Sequence, residues 1–548
     1  MDARAPMHPR RPQALDAGLF LVVVAVPLAF TPFTTSPFAD PKLLLLSLGT
    51  LLIWLGAAPA DRRLALAAGA WFGVTALAAV LGVDPQRSLT GLEGPLTGLG
   101  LFACCAVLVV AGASLTRETI ERVGGWLLWT GLIVGAITLV WRLAPDVIEA
   151  GVTDLDFRGG TVGNPVFAGA VIAGAIAVAL VRELSPLRRA VSIVVLVSGI
   201  SAGGERVAWL LPIVAVVATL WWARVDRRRA ALLAGGIVAI LAGWALAEPV
   251  LPEGATVSPV AQVTSFGSDT GRLTAFEVHT RAWLDRPVLG WGPGTTLSGY
   301  RANATAEQID TAGIAWDEAH NLVIQTASQS GILGLLALGW LVVIVVSRGL
   351  RASRDAAWVI GTVTVFAVFC LFEPFNLSVT PLLFLFAGAA GAGAREAPAS
   401  RRWTRVAYAS TGIVLIAGLG LAALTFAASA YERWGARYED QPALRTSLAL
   451  QPWRVTAGME LLRDLALDAR SRQVPGTDEE ARELIDDLVD DRGWDPRVRP
   501  AAADAEGLME DFGAARGWLL SQLEVFPGDA AILPDPDVVG RGEVSGIP

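Results

Sequence analysis

The sequence predicts an all-α protein, a polytopic membrane helix bundle followed by a small soluble helical-repeat domain. Of its 548 residues, 53% are hydrophobic and only 17% are charged, whereas a typical soluble domain carries about 25% charged residues. Apolar runs of membrane-spanning length recur along the chain and stop near residue 430, after which acidic residues become frequent. The three cysteines, Cys104, Cys105 and Cys370, lie inside apolar runs and are expected to be core residues without disulfide bonds.

The apolar runs predict about 12–13 transmembrane helices within a membrane domain over 14–430. A helix needs about 20 apolar residues to cross roughly 30 Å of hydrocarbon. Thirteen segments are candidates, and those at 187–201 and 356–372 are short. The candidates are 14–32, 42–58, 64–82, 95–112, 123–141, 163–181, 187–201, 206–222, 230–248, 320–346, 356–372, 377–393 and 406–430.

The distribution of arginines predicts the orientation of the bundle in the cytoplasmic membrane. Arginines are concentrated in alternate loops, and cytoplasmic loops are the ones enriched in arginine and lysine. The pattern therefore predicts a cytoplasmic N-terminus over 1–13 and a large outer loop over 249–319. The basic residues of the short outer segments are few, namely Lys42, Arg87, Arg142, Arg158 and Arg206.

The tail, 431–548, differs from the rest of the chain in composition. Apolar residues recur in it at helical spacing and close on a proline, at 448–452 and again at 523–527. This pattern is similar to tetratricopeptide helix pairs. We expect a soluble α-helical domain on the outer face, with a surface that could bind an acceptor or a partner protein.

The long outer loop and its boundary contain the side chains most suited to chemistry. His320 opens the apolar segment 320–346, so its imidazole is expected at the water boundary, where it can accept or donate a proton. Asp317 and Glu318 are close enough in sequence to orient it. The alternative is an interfacial histidine without a chemical role.

Arginines on the outer side of the membrane are uncommon, because arginine and lysine are enriched in cytoplasmic loops, so those that occur there are candidates for a function. Arg158, Arg206 and Arg272 all map to that side. A guanidinium group matches phosphate oxygens in a bidentate arrangement, so converging arginines would bind a diphosphate. The alternative for each is a contact with solvent or lipid headgroups. The remaining polar residues of the loop expected at the solvated surface are His279, Arg281, Arg286 and Arg301.

Glu373 lies between two predicted spans on the outer side. A carboxylate at this depth is usually paired, so Glu373 is expected to pair with an arginine, to assist His320 or to cap the following helix. The sequence contains no His/Cys metal-ligand cluster, no phosphate-binding loop of the Walker type and no basic nucleic-acid surface. We therefore expect no cofactor and no nucleic-acid partner.

Several motifs together resemble one family of membrane proteins. They are Gly271-Arg272, the run Pro287–Gly294 (PVLGWGPG), Ala319-His320-Asn321, Gly331–Gly334 (GILG) and, upstream, Arg158–Pro165 (RGGTVGNP). Their order and spacing are similar to those of the O-antigen ligase / O-antigen polymerase superfamily, over roughly 20–430.

The resemblance implies a multi-span, lipid-dependent glycosyltransferase. Such an enzyme takes a glycan from undecaprenyl diphosphate at the outer face of the cytoplasmic membrane and transfers it to a hydroxyl of a lipid, glycan or protein acceptor. No nucleotide sugar and no metal are implied. Carried over by position, His320 would activate or position the acceptor, and Arg206 and Arg272 would bind the diphosphate. Arg158, Asn321 and Glu373 are added as expected substrate-binding residues.

Two departures and three alternatives accompany the resemblance. No arginine follows Gly91 in the outer segment 84–95, and Arg206 lacks the serine and glycine neighbours that the superfamily usually has.

A polymerase of the same superfamily would use the same motifs as a ligase. A transporter or flippase would show related halves with broken helices at mid-membrane, and a membrane-anchored scaffold would have its working part in the tail.

Overall fold

A computed structural model provides the coordinates of the chain. The residues that it describes are 12–57, 61–144, 159–247, 270–312, 316–391, 401–472, 474–531 and 533–540. Most of the predicted N-terminal segment 1–13, part of the predicted loop 249–319 and the predicted site residue Arg158 lie outside the described residues.

Throughout the described ranges the secondary structure is helical and contains no strand, which confirms the predicted all-α class. The helices up to the long loop are α1 Pro12–Leu28, α2 Asp40–Gly56, α3 Arg62–Leu81, α4 Pro85–Thr90, α5 Leu99–Gly112, α6 Arg117–Leu143, α7 Pro165–Val181, α8 Pro186–Gly203, α9 Arg206–Ala223 and α10 Arg227–Ala247. The loop and the last membrane helices are α11 Thr270–Asp285, α12 Thr296–Asn303, α13 Ala306–Ala312, α14 Leu322–Gly349, α15 Ala357–Phe369, α16 Thr380–Ala390 and α17 Arg401–Tyr438. The tail forms α18 Gln441–Leu450, α19 Val455–Leu467, α20 Thr477–Arg492, α21 Val498–Leu508, α22 Phe512–Val525 and α23 Pro536–Gly540.

Each of the thirteen predicted apolar segments overlaps a helix of the bundle. Among the described residues, five helices are long and apolar enough to cross a membrane, namely α3, α6, α8, α14 and the Tyr408–Tyr438 part of α17. Others are shorter than their predicted segments: α5 has 14 residues and α16 has 11. At 1.5 Å per residue, an 11-residue helix covers only about 17 Å, so it depends on neighbouring protein to complete the crossing.

Helix α7 forms the centre of the bundle, and it is buried along almost its entire length. Its small residues allow neighbouring helices to approach closely. A methyl group added at Gly169 would overlap Ala208 of α9, and one added at Gly174 would crowd Phe366 of α15. Close contact through glycine and alanine is the usual way in which membrane helices pack, because burial of apolar surface gives no driving force in lipid.

The tail has a hydrophobic core of its own, formed by residues such as Leu444, Leu461 and Ile485. Helix α17 continues without interruption from the bundle into the tail. The tail lies against the end of the bundle that carries α11–α13, which we call the loop end. For example, Arg454 donates a hydrogen bond from Nη2 to Thr35 Oγ1 over 2.8 Å. The similarity of these helices to tetratricopeptide repeats stays a prediction.

Candidate functional site

Asn321 fixes the point at which α14 begins. Its Oδ1 accepts the backbone N–H groups of Val323 and Ile324 at 2.9 and 3.2 Å, which makes it the N-cap of the helix. Its Nδ2 donates to the carbonyl of Leu371 at 3.1 Å, just after the end of α15. Both ends of the Asn321 side chain are therefore used within the protein, in holding the start of α14 against the end of α15.

His320, immediately before this cap, has an unusual backbone conformation. Its φ is +46°, in the left-handed region that a non-glycine residue rarely adopts. Its ring contacts the Trp316 ring edge to face, with centroids 4.7 Å apart and planes at 90°. A strained residue persists only where its surroundings determine it, so the contacts on both sides hold the imidazole in one place.

Glu373 connects His320 to Arg272. One carboxylate oxygen, Oε2, lies 3.2 Å from His320 Nδ1, and the other, Oε1, lies 3.4 Å from Arg272 Nη2. The Glu373 side chain is 6% exposed, whereas those of His320 and Arg272 are 15% and 27% exposed. A proton on Nδ1 would make the imidazole the donor in this contact and would leave Nε2 to act on a substrate.

The two acids that precede His320 in sequence have a different environment. Burial raises the pKa of Asp317. Burial also raises the pKa of Glu318 well above its usual value, and the nearby charges of Asp317 and Glu373 add to the effect. The sequence suggested Asp317, Glu318 and Glu373 as groups that could assist the imidazole, and the direct contact comes from Glu373, which also pairs with an arginine.

Helix α11 contributes two side chains from one face, because residues seven apart in a helix point in nearly the same direction. Arg272 reaches Glu373, while His279 is 0% exposed and its ring lies 5.4 Å from that of Tyr300. Burial lowers the pKa of His279 to about 3. The prediction that His279 lies at the solvated surface is wrong, because α11 packs this face against the rest of the loop.

The glycine-rich loop Pro287–Gly294 inserts into a break in α14. The backbone N–H of Trp291 donates to the carbonyl of Ser328 at 2.8 Å, and that of Gly292 donates to Gln329 at 3.0 Å. At the break, Gly331 has φ 62° and ψ −163°, and a Cβ there would overlap the carbonyl of Val288. The two motifs that are separate in sequence thus form one unit behind the start of α14.

The remaining predicted residues lie elsewhere or outside what the structure describes. Arg206 begins α9, but its side chain is outside the described part of the chain, as is all of Arg158. Next to Arg158, the GTVGNP stretch is held by Lys42, whose Nζ donates to the carbonyls of Thr161 and Val162 at 2.8 and 3.3 Å. Lys42 therefore links the start of α2 to the connection that precedes α7.

Two arginines of the loop end contact the tail. Arg301 was expected to be solvated, but its side chain is only 17% exposed and its Nη1 lies 3.1 Å from Asp529 Oδ2. That prediction is wrong, because the tail covers α12. Arg87, in the outer segment 84–95, is buried and pairs with Asp495 of the tail.

Among the residues that the structure describes, no group of three or more His, Cys, Asp or Glu side chains could hold a metal ion. The groups brought together here are a partly exposed guanidinium, a partly exposed imidazole and the carboxylate that they share. Such a set can bind an anion and take a proton from a hydroxyl.

Part of the chain matches a known protein family. Residues 191–339 match the family model described as O-antigen ligase. The match contains Arg206, Arg272, His279 and His320, whereas Glu373 lies beyond it. No curated protein matches the chain. Through this central segment, the chain is similar to the O-antigen ligase superfamily.

Proposed function

We propose that this protein transfers a glycan from undecaprenyl diphosphate to an acceptor hydroxyl at the outer face of the cytoplasmic membrane, as a ligase does. The family match supports O-antigen ligase or polymerase chemistry in general. The observation that carries the finer proposal is the position of Glu373, which contacts both His320 and Arg272. One carboxylate thereby sets the distance between a base and an anion-binding group.

His320 acts as the general base in this reaction. Its Nε2 takes the proton of the acceptor hydroxyl while the hydroxyl oxygen forms a bond with the anomeric carbon of the donor sugar. The bond from that carbon to the diphosphate oxygen breaks, and its electron pair leaves with undecaprenyl diphosphate. Glu373 stabilises the imidazolium that forms, through the proton on Nδ1.

Arg272 binds the diphosphate and stabilises the negative charge that develops on it. Its guanidinium is held at one end by Glu373 and is still 27% exposed, so it can contact a ligand without losing its anchor. We assign Arg206 and Arg158 the same kind of role because of their positions in the motifs. Asn321 acts indirectly, because its side chain is occupied in capping α14.

The arrangement of the chain suits a donor that is dissolved in the membrane. The site lies where α14 begins and α15 ends, at the ends of apolar helices. A polyprenyl chain would remain in the hydrocarbon while its diphosphate reaches the site. We propose that 14–430 form the membrane domain and that the soluble tail 431–548 lies on the same outer face as the site.

Reconstitution in nanodiscs tests the proposal. We expect purified protein, given the undecaprenyl-diphosphate glycan of its own cell and a candidate acceptor, to move one glycan to the acceptor, as resolved by mass spectrometry. His320→Ala is expected to lower the rate by about 10²–10⁴-fold, the usual contribution of a positioned base. Arg516→Gln is the matched control, since Arg516 forms only an exposed pair with Asp537 in the tail.

The products separate the alternatives. A ladder of glycan multiples that stay on the lipid diphosphate would identify a polymerase, which uses the same motifs. Movement of intact donor across the bilayer without transfer would identify a flippase. Transfer by His320→Ala at the wild-type rate would overturn the assigned base.

A further inference from the structure

We propose that the tail is a positioning part of the transfer site, because it clamps the loop that fills the break in α14. This inference rests on the proposed function and adds to it a role for the tail. The clamp consists of four tail residues that reach the loop end: Trp494, Asp495, Arg497 and Asp529.

The first part of the clamp is a buried ionic cluster. Asp495, which is 0% exposed, pairs with Arg87 of α4 and accepts hydrogen bonds from Arg497 of the tail at 2.7 and 3.0 Å. Arg497 in turn lies 2.9 Å from Glu93. Two arginines and two acids thus balance each other's charges between the tail and the segment 84–95.

The second part is an aromatic contact directly on the glycine-rich loop. The ring of Trp494 packs edge to face on that of Trp291, with centroids 5.9 Å apart. Trp291 also donates from its indole nitrogen to the carbonyl of Ala282 in α11 at 2.8 Å. Trp494 therefore contacts the loop directly, and through Trp291 it is connected to α11, the helix that carries Arg272.

The third part holds α12. Asp529 is 0% exposed, accepts from Arg301 at 3.1 Å and accepts from Gln522 of its own domain at 2.6 Å. A methyl group added at Gly528 would crowd the carbonyl of Ala304, just after α12, at 2.5 Å. The tail and the loop are therefore in close contact at a second point.

These contacts lead to the site through backbone hydrogen bonds. Trp291 donates its N–H to Ser328 and accepts from Val83 at 3.0 Å, so it links the segment beside Arg87 to α14. Ser328 lies in the same short helical segment that begins after His320. That segment is interrupted at Gly331, so its orientation depends on the inserted loop and not on the continuation of α14.

The clamp supports the site without covering it. The side chains of His320 and Arg272 keep 15% and 27% exposure with the tail in place. A lid would bury them. The geometry therefore assigns the tail the role of a fixed support, and Trp494 and Asp495 are positioning residues that act through Trp291 and Arg87.

Three full-length variants in nanodiscs test this role. Trp494→Ala removes the contact with the loop, Asp495→Asn removes the charge at the centre of the cluster, and Arg516→Gln is the control elsewhere in the tail. We expect the first two to lower kcat about 10- to 100-fold, as a small misplacement of a site does, with KM for the donor changed less than twofold. We also expect faster hydrogen exchange in 287–294 and 322–330, with exchange in α7 unchanged.

The outcomes are distinct from those that test the function itself. Faster exchange in the loop with a normal kcat would overturn the positioning role, and so would a lower kcat with unchanged exchange. If hydrogen exchange in α7 became faster for Asp495→Asn alone, that variant would be generally unfolded. The results for Trp494→Ala would then decide whether the tail has a positioning role. If wild-type protein transferred no glycan, the proposed function would fail, while unchanged exchange in Trp494→Ala would separately refute the clamp.

Discussion

Two clusters of arginines and acids lie at the loop end, and their differences separate a site from a support. In the tail cluster, Arg87, Asp495, Arg497 and Glu93 balance each other, and Asp495 is 0% exposed. In the site cluster, Glu373 is shared between Arg272, which is 27% exposed, and a titratable imidazole. Arg497 and Glu93 are themselves 23% and 16% exposed, so exposure alone does not separate the two clusters. In the tail cluster each charge faces an opposite charge, whereas in the site one carboxylate is shared between a guanidinium and an imidazole that can also act on a ligand.

The environment of Arg87 shows why the tail cluster depends on mutual compensation. Burial lowers the pKa of Arg87 to about 10, which still leaves it protonated at neutral pH. Although burial raises the pKa of Glu93, Arg497 and the other nearby arginines hold it below its usual value. Arg87 and Glu93 are thus charged at neutral pH, and the loss of Arg87 leaves the buried Asp495 with Arg497 as its remaining arginine partner.

The largest effect is expected in the tail cluster, on stability. Arg87→Gln leaves Asp495 buried with less compensation, so we expect the free energy of unfolding to fall by about 3–5 kcal/mol. The double variant Arg87→Gln/Asp495→Asn removes both charges and should recover most of that loss. Thermal unfolding in nanodiscs measures both, and equal losses in the single and double variants would contradict the compensation.

The next effect is expected in the site, on chemistry. Arg272→Ala should lower glycan transfer about 10²–10³-fold, or roughly 2.7–4 kcal/mol of transition-state stabilisation, as the loss of one preorganised donor does. Stability is expected to recover in the double variant of the tail cluster. The transfer rate, in contrast, should not recover when the partner in the site is also neutralised, in Arg272→Ala/Glu373→Gln. Single-turnover transfer rates provide the measurement, and a recovery in the double variant would make Arg272 a structural residue.

A smaller loss is expected for Glu373→Gln alone. The amide keeps the shape of the side chain but cannot stabilise an imidazolium, so we expect transfer to fall about 10- to 100-fold. The pH dependence of kcat should also shift, because the charge beside His320 has changed. A lower rate with an unchanged pH profile would mean that Glu373 only holds the fold.

The smallest effect concerns the buried histidine of α11. The pKa of His279 is about 3 in the folded protein and about 6.5 when unfolded. The unfolded state therefore binds more protons below pH 6.5, and stability is lost as the pH falls towards 3. From pH 7.5 to pH 5.5 we expect a loss of about 1.4 kcal/mol from this group.

His279→Phe tests that expectation in the same assay. The phenyl ring is apolar and does not titrate, so the stability difference between pH 7.5 and pH 5.5 should shrink by that amount. An unchanged difference in the variant would mean that other groups cause the acid sensitivity.

Much of the fold follows from the sequence, because lipid requires long apolar helices. All thirteen predicted segments overlap helices. The shorter lengths of α5 and α16 could not be predicted, because apolar residues in irregular connections look the same in sequence as those in helices.

The site was predictable residue by residue but not as an arrangement. Motif position indicated His320 and Arg272 separately. Glu373 was expected to pair with an arginine, to assist His320 or to cap a helix. The sequence could not choose among these, because Glu373 is 53 residues from His320 and 101 from Arg272, separations that no periodicity relates. The burial of His279 was missed because α11 carries charged residues on its other faces, which suggested a solvated helix.

The long separation within the clamp has a consequence for biosynthesis. Arg272, His320 and Glu373 emerge within 101 residues of each other, whereas Arg87 and Asp495 are 408 residues apart. At about 5–20 residues per second, Asp495 follows Arg87 by roughly 20 to 80 s of translation. During that interval the inserted bundle carries Arg87 without Asp495, its partner from the tail, and a loop without the contact from Trp494. On the proposed role of the tail, the site therefore gains its support only after Asp495 has been synthesised.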